Sequence, residues 1–141
     1  MIKFQVSKNI IQKIVVAAVI LHRNKILLLQ RSIKEKTLPG LWELPSGRRE
    51  NFESSVRALK REVKEETGLN IEVICPINTF EYVIKKPEIV KDTTQINFLV
   101  KVKGHCKVKM SREHQNFAWV GKKDLSKYRI SREIKNVLLK I

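Results

Sequence analysis

One segment, Gly47–Leu69, constrains the fold of this chain more than any other part of its sequence. Its second half predicts a helix over Ser54–Thr67, because apolar residues recur there at helical spacing. Ser54 suits the N-terminus of such a helix, and Gly68 follows where a left-handed C-terminal cap would stand. A chain with this helix needs an apolar partner surface to bury one of its faces.

The same helix concentrates acid on one side. About 100° of its circumference holds three glutamates: Glu62, Glu65 and Glu66. Val56, Leu59 and Val63 lie on the neighbouring arc, so we expect that edge to pack on a sheet and the acidic edge to face solvent. Like charges four residues apart cost a few tenths of a kcal/mol, so the grouping requires a reason.

Two explanations of the acidic edge stay open at this point. It is either a solvated helix face, whose repulsion is offset by cations such as Arg61, or the binding site of a hard divalent cation. Mg²⁺ prefers oxygen ligands and is often held by one or two carboxylates together with waters and substrate phosphates.

The bulk composition narrows the class of partner. The chain has 141 residues, 43% of them hydrophobic, which predicts a single domain over residues 1–141. Its formal charge is +15, with a pI near 10.1, so the surface attracts anions such as nucleotides or nucleic acid. Aromatic residues make up only 6%, and no RNA-binding aromatic signature is visible, so nucleic acid is the less favoured partner.

Cysteine content and hydropathy bear on the compartment. The two cysteines, Cys75 and Cys106, form neither a disulfide framework nor a zinc pattern, which favours a reducing cytoplasm. The apolar run Ile14–Leu21 is too short to span a bilayer and reads as a buried strand. We therefore expect a cytoplasmic protein without a membrane partner.

The remaining sequence reads mostly as strands. Two apolar runs separated by Arg23-Asn24 predict a pair of strands joined by a tight turn. A short strand near Trp42 is predicted between turns at Pro39-Gly40 and Pro45-Ser46-Gly47. A strand over 70–84, broken at Pro76, is followed by a polar loop over 85–92 and a strand over 93–104. A last strand ends at Val120, and a helical segment closes the chain. The sum is an α/β domain with a mixed sheet.

The spacing in the acidic segment resembles a known family. Gly47, then Glu53 after five residues, then "REVKEETGL" from Arg61 after seven more, fills every fixed position of the Nudix box. "LWELPSG" resembles the strand and turn that lead into that box, and "REHQNFAWV" resembles the late loop and strand of the MutT-like branch.

The resemblance implies a Nudix α/β/α sandwich that hydrolyses a nucleoside diphosphate linked to another group and requires Mg²⁺ or Mn²⁺. It assigns the metal to the carboxylates of Glu62, Glu65 and Glu66 and to the backbone carbonyl of Ser46. Arg61 would act in catalysis by orienting the glutamates and tying down Glu53. Gly47 would permit the turn before the helix, and Gly68 would end it.

The same resemblance suggests the remaining site residues. Glu113 is expected to be the general base or a further metal ligand, with Glu65 as the alternative base, while His114 shapes the loop. Arg31 and Arg48 are expected to meet phosphates. Three aromatic residues are candidates for stacking on the base: Phe80, Tyr82 and Phe117.

Several substrates remain open. We expect a (d)NTP pyrophosphohydrolase that yields a nucleoside monophosphate and pyrophosphate, acting as a monomer or homodimer. An ADP-ribose or dinucleotide pyrophosphatase is the first alternative, and an RNA 5′-end pyrophosphohydrolase or nucleic-acid-associated protein is the second. Ser131 and Arg132 stand near where the hydrolases of oxidised dGTP carry a base-reading asparagine, which argues against that specificity.

Overall fold

The computed structural model describes residues 9–141, in which strands come both before and after one long helix along the chain. The elements are β1 (Asn9–His22), β2 (Lys25–Arg31), β3 (Trp42–Glu43), β4 (Ser46–Arg48), α1 (Ser55–Thr67), β5 (Ile71–Lys85), β6 (Ile89–Val102), β7 (His114–Val120), a 3₁₀ helix (Lys122–Lys127) and α2 (Arg132–Leu139). No helix within these residues is long and apolar enough to cross a membrane.

The sheet is mixed and is organised around β1. β6 runs parallel to β1 along twelve paired positions, from Asn9↔Ile89 to Ile20↔Val100, and β5 pairs antiparallel with the far side of β6. The other edge of β1 is divided: residues 15–17 pair with β4, and residues 21–22 pair with β2. β2 in turn carries β3 and β7, so the sheet curls between its two halves.

The middle of β1, residues 15–20, is buried on both faces, which explains the continuous apolar sequence there. Val16, Ala18 and Ile20 pack with Leu59 and Val63 of α1 on one face. The alternate residues of the strand pack with Ile134, Val137 and Leu138 of α2 on the other. The predicted α/β/α sandwich is therefore confirmed, and the two hydrophobic clusters lie on opposite sides of the sheet.

The local signals at both ends of α1 act as predicted. The Ser54 hydroxyl oxygen accepts a hydrogen bond from the Arg57 amide at 3.2 Å, and Gly68 adopts a left-handed φ of 74°. The turn between β1 and β2 is also as predicted, with φ of 50° and 62° at Arg23 and Asn24. Positive φ at both positions matches the right-handed twist of the paired strands. Val56 differs from its prediction: it is 40% exposed and does not belong to the core.

Three segments that the sequence predicts to be a loop, a break and a turn are strand in the structure. The predicted loop over 85–92 is mostly paired, with only residues 86–88 linking β5 to β6, because long pairing with β5 holds its polar residues in register. Pro76 does not break β5; bulges on either side accommodate it on an edge strand, where a missing N–H costs little. Ser46 and Gly47 lie in β4 rather than in a turn.

Candidate active site

A cleft of about 580 Å³ opens on the α2 side of the sheet. Its floor is formed by β1, β5 and β6, and its walls are formed by the segment around Leu41, by β4 and by the beginning of α2. Glu66, at the C-terminal end of α1, and Glu113, just before β7, reach the same cleft. The fold thus brings together two acids that are 47 positions apart in sequence.

Glu66 is the most buried acid of this group, with 5% of the residue exposed. Its Oε1 accepts a hydrogen bond from the Ser46 backbone N–H at 2.7 Å. The pKa of Glu66 is raised to about 9, chiefly by burial and in smaller part by the charges of Glu43, Glu113 and Glu62, while the hydrogen bond from Ser46 acts in the opposite direction. The predicted solvent-facing acidic edge is therefore wrong for Glu66, because β4 covers this end of α1.

His114 is buried between two glutamates. Its Nε2 lies 2.8 Å from Oε2 of Glu43, and its Nδ1 lies 3.8 Å from Oε2 of Glu66. The Nδ1 atom is buried without a hydrogen-bond partner. One ligand-type atom from each of Glu66, Glu113 and His114 lies within 4.8 Å of the other two. The cluster therefore places one unsatisfied polar atom, the Nδ1 of His114, close to two carboxylates.

Arg61 links the loop before α1 to the acids of the helix. Its Nε and Nη2 donate to the two carboxylate oxygens of Glu53, each at 2.9 Å, and its Nη1 donates to Oε1 of Glu62 at 2.8 Å. Hydrogen bonding from Arg61 lowers the pKa of Glu53 to about 2. The contact that the sequence predicts between Arg61 and Glu53 is thus present, and it is bidentate.

The other two glutamates of α1 differ in environment. The Glu62 side chain is 17% exposed, and burial raises its pKa despite the neighbouring Arg61. The Glu65 side chain is 57% exposed and lies 3.5 Å from Nη1 of Arg61. Glu62 also packs directly on Gly47, where a Cβ would overlap its carboxylate. Gly47 is needed for this close approach, and not for the turn that the sequence predicts.

The chemistry of these donors fits a divalent cation. Buried carboxylates repel one another and are costly to ionise without a counter-charge, and Glu66 shows that cost as a raised pKa. Carboxylate oxygens are the ligands that Mg²⁺ and Mn²⁺ prefer. The unpartnered Nδ1 of His114 beside Glu66 is a further sign that this group of atoms is incomplete by itself.

The predicted substrate residues divide into two groups. Arg31, Arg48, Phe80 and Tyr82 all line the cleft, and the Arg31 guanidinium lies 3.4 Å from Glu43. Phe117 does not line it. It pairs with Leu29, which packs in the core cluster under α1, so Phe117 lies on the opposite face of the sheet. Strand parity, and not its aromatic character, therefore decides the face on which Phe117 lies.

Sequence reasoning missed other residues of the cleft. Glu43 contacts both His114 and Arg31, and Gln95 and Lys13 lie on the floor. Glu43 is part of the "LWELPSG" stretch that was matched to the family, which is a signal that could have identified it. Lys13 and Gln95 gave no such signal, because their proximity depends on the parallel pairing of β1 with β6.

The fold and the site define an α/β/α protein whose cleft combines clustered carboxylates with aromatic and basic residues. Comparison with known proteins gives the family. A family model described as NUDIX domain matches residues 12–140. The chain therefore belongs to the Nudix hydrolase family, in its MutT-like branch.

Individual relatives agree with this membership. The nucleoside triphosphatase NudI of Escherichia fergusonii is 28% identical over 124 residues, covering 83% of this chain and 87% of NudI. Human 8-oxo-dGDP phosphatase NUDT18 is 44% identical over 59 residues, but the match covers 42% of this chain and 18% of NUDT18. A crystal structure of a MutT protein from Methanosarcina mazei Go1 superposes with a TM-score of 0.76 at 28% identity, covering 96% of this chain and 95% of that one.

Proposed function

We propose that this chain is a metal-dependent pyrophosphohydrolase that cleaves nucleoside triphosphates into nucleoside monophosphate and pyrophosphate. The observation that carries the proposal is the convergence of Glu66 and Glu113 at the cleft, within 4.8 Å of each other. The likeness to NudI, a nucleoside triphosphatase that matches over most of both chains, favours this substrate class.

The cation, Mg²⁺ or Mn²⁺, would be held by Glu62 and Glu66 of α1, by the Ser46 carbonyl and by Glu65 on the exposed side of the helix. When bound, it supplies neutralisation of phosphate oxygens and a lowered pKa of bound water. The Ser46 N–H fixes the Glu66 carboxylate from the other side, so that this ligand needs little reorganisation.

Glu113 accepts the proton of the attacking water in this proposal. It is exposed at the cleft and lies beside the Glu66 carboxylate, where a water molecule can reach both. Glu65, the alternative base, is 57% exposed and lies next to the guanidinium of Arg61. Glu113, and not Glu65, lies in the cluster with Glu66 and His114, which favours Glu113 as the base.

The remaining residues orient the substrate. Arg61 holds Glu53 and Glu62 in fixed positions through its bidentate and single contacts, and so preserves the geometry of the acidic helix. Arg48 lies in the cleft one residue beyond Gly47, where it can meet substrate phosphate oxygens. Phe80 and Tyr82, whose rings lie 6.0 Å apart, offer an apolar surface to the nucleoside.

The decisive experiment is a substrate screen with product identification. The protein and Mg²⁺ are incubated in ¹⁸O-labelled water with nucleoside triphosphates, ADP-ribose or dinucleoside polyphosphates. The products are separated and identified by mass spectrometry. We expect nucleoside monophosphate and pyrophosphate from the triphosphates, with the label in one of the two. Release of orthophosphate from triphosphates, or preferred cleavage of ADP-ribose or dinucleotides, would contradict the proposal.

A matched pair of variants tests the site. Glu66→Gln removes the buried carboxyl group that would hold the cation and should lower turnover by about 10³-fold or more, because charge stabilisation is the main contribution to phosphoryl transfer. Glu72→Gln, at a surface residue of β5 that pairs with Lys101, makes the same substitution outside the cleft and should leave turnover near that of the parent. Equal activity of the two variants would remove Glu66 from the active site.

A further inference from the structure

Three lysines gather at the end of the cleft that is remote from the glutamates. This lysine cluster consists of Lys13 on β1, Lys91 on β6 and Lys86 in the β5–β6 connection, all of which line the cleft. Strand register places the first two on one face. Lys13 lies two residues before Val15 in β1, and Lys91 lies four residues before Gln95 in β6, so each shares a face of the sheet with that residue. Val15 and Gln95 are paired, so all four lie on the same face. Their shared orientation is a consequence of the sheet and not of loop conformation.

The cluster is not neutralised by the protein. Within residues 9–141, none of these lysines forms an ion pair with a carboxylate within 4.0 Å. Burial lowers the pKa of Lys13, and the charges of Lys91, Arg48 and Lys86 lower it further. The charge of Lys86 is the largest contribution to the lowered pKa of Lys91. Positive charges held this close together create a strong local attraction for an anion.

The distance from the acids separates this cluster from the catalytic end. Ser46, which donates to Glu66, is paired with Ala17 of β1, and Lys13 lies four residues earlier on the same strand. Four residues of strand span about 13 Å, which is longer than a triphosphate chain. A triphosphate that is held at the glutamates therefore does not extend along the floor as far as the position of Lys13.

Between the two ends the floor consists of uncharged residues, with Arg48 of β4 beside them as the partner of Val15. Val15 of β1, Gln95 of β6 and Phe80 of β5 lie side by side there in one transverse row of the sheet. Gln95 is nearly buried and donates to Asn97 at 2.9 Å, and its Oε1 lies 3.5 Å from the Tyr82 hydroxyl. An aromatic ring, an aliphatic side chain and an amide suit a nucleoside better than a phosphate. The cleft thus presents an acidic end, a floor of neutral residues flanked by Arg48, and a basic end.

We propose that the lysine cluster binds a second phosphate, attached to the ribose 3′ oxygen of a nucleotide whose 5′ phosphoanhydride lies at the glutamates. The orientation of the nucleotide in this proposal rests on the proposed function. The 3′ phosphate has two sources with the same chemistry: a mononucleotide phosphorylated at both ends, or the first phosphodiester of a short 5′-triphosphorylated RNA. The lysines then determine specificity for substrates that carry this group.

Binding tests the proposal independently of hydrolysis. Titration calorimetry with Mg²⁺ compares adenosine 5′-monophosphate with adenosine 3′,5′-bisphosphate, and the guanosine pair is treated in the same way. We expect the bisphosphate to bind about tenfold or more tightly, as charge-assisted hydrogen bonds to one phosphate would provide. Lys13→Met/Lys91→Met should abolish this preference, and Lys103→Met/Lys107→Met, which removes two exposed charges outside the cleft, should retain it.

Lys13 is partly buried, so its substitution could weaken binding by destabilising the fold. A second cleft variant controls for this effect. Lys86→Met/Lys91→Met changes two residues at the hairpin end and should also abolish the preference. All variants are compared with the parent by thermal unfolding. Equal affinity of the parent for the two ligands, or a preference that survives in both cleft variants, would overturn the proposal.

Hydrolysis then distinguishes the two sources of the phosphate. Two substrates represent the two sources: guanosine 3′-phosphate 5′-triphosphate and a 5′-triphosphorylated dinucleotide. For each of them, kcat/KM is divided by kcat/KM for GTP, in the parent and in Lys13→Met/Lys91→Met. A ratio that is about tenfold above unity for one source and falls in the variant identifies that source. If the binding preference holds but no triphosphate is cleaved, the proposed function fails and the phosphate subsite stands.

Discussion

Gly47 lies directly against the carboxylate of Glu62, and a Cβ at position 47 would overlap Cγ, Cδ and Oε2 of that side chain. The backbone at Gly47 is strand, without a left-handed φ, so the glycine is required by space alone. The same Glu62 carboxylate accepts a hydrogen bond from Arg61 on its other side. Its position is therefore fixed between β4 and a guanidinium, beside Gly47, which lines the cleft.

Gly47→Ala should displace the Glu62 carboxylate and lower turnover by about 100-fold, as misplacement of a site residue by about 1 Å can do. Steady-state kinetics with Mg²⁺ and a hydrolysed nucleotide measure the change. Gly121→Ala is the control, because a Cβ there meets no atom within 4 Å and its φ is −76°. A Gly47→Ala enzyme with the turnover of the Gly121→Ala enzyme would show that Glu62 can move without consequence.

Arg61→Lys should reduce both stability and activity. A lysine keeps the charge but cannot donate in parallel to both oxygens of Glu53 while also reaching Glu62. The expected loss is about 1–3 kcal/mol in the free energy of unfolding, measured by urea denaturation. Arg57→Lys, an exposed change on the same helix, should have almost no effect. Equal stability of the two variants would mean that the bidentate contact contributes nothing.

The contact between Glu53 and Arg61 should also give a dependence of stability on pH. The pKa of Glu53 is about 2 in the folded chain, against an ordinary value of 4.5. A lowered pKa stabilises the folded state above pH 4.5, and that contribution disappears as the pH falls from about 4.5 to about 2. The difference in unfolding free energy between the parent and Glu53→Gln should therefore shrink across this range. Glu81→Gln, an exposed control on β5, provides the comparison; a difference that is constant with pH would contradict the expectation.

Metal binding should raise the melting temperature in a way that depends on Glu66. A ligand at 100 times its dissociation constant stabilises the folded state by about 2.7 kcal/mol. Mg²⁺ or Mn²⁺ should therefore shift thermal unfolding of the parent and of Glu72→Gln, but not of Glu66→Gln. Chelator should stop turnover and leave the domain folded, because the two hydrophobic clusters hold it together. Unfolding on chelation, or an unchanged shift in Glu66→Gln, would be inconsistent with the proposed site.

Glu113→Gln should lower kcat far more than it raises KM. The proton acceptor acts in the transition state, and general base catalysis contributes typically about 10²–10⁴-fold. Glu65→Gln serves as the comparison within the site. If Glu65→Gln shows the larger loss in kcat and Glu113→Gln the smaller, the roles of the two acids are reversed.

The local elements were largely predictable because their signals are local. The N-cap at Ser54, the left-handed Gly68 and the spacing of Leu59 and Val63 all act within a few residues of α1. The turn at Arg23-Asn24 is equally short-range. The predictions that were wrong concern longer range, as with Val56, which helical spacing places near the core but the sheet does not reach.

The sequence by itself determined which chemistry is available: the glutamates of α1, the arginine that holds them and the helix that carries both. Only the tertiary structure decided which acids meet. Glu113 reaches Glu66, Glu43 reaches His114, and Glu65 lies on the exposed side. Phe117 was likewise excluded from the cleft by its pairing with Leu29. The physical reason is that strand pairing and face are set by contacts between residues far apart in sequence, which spacing along the chain does not record.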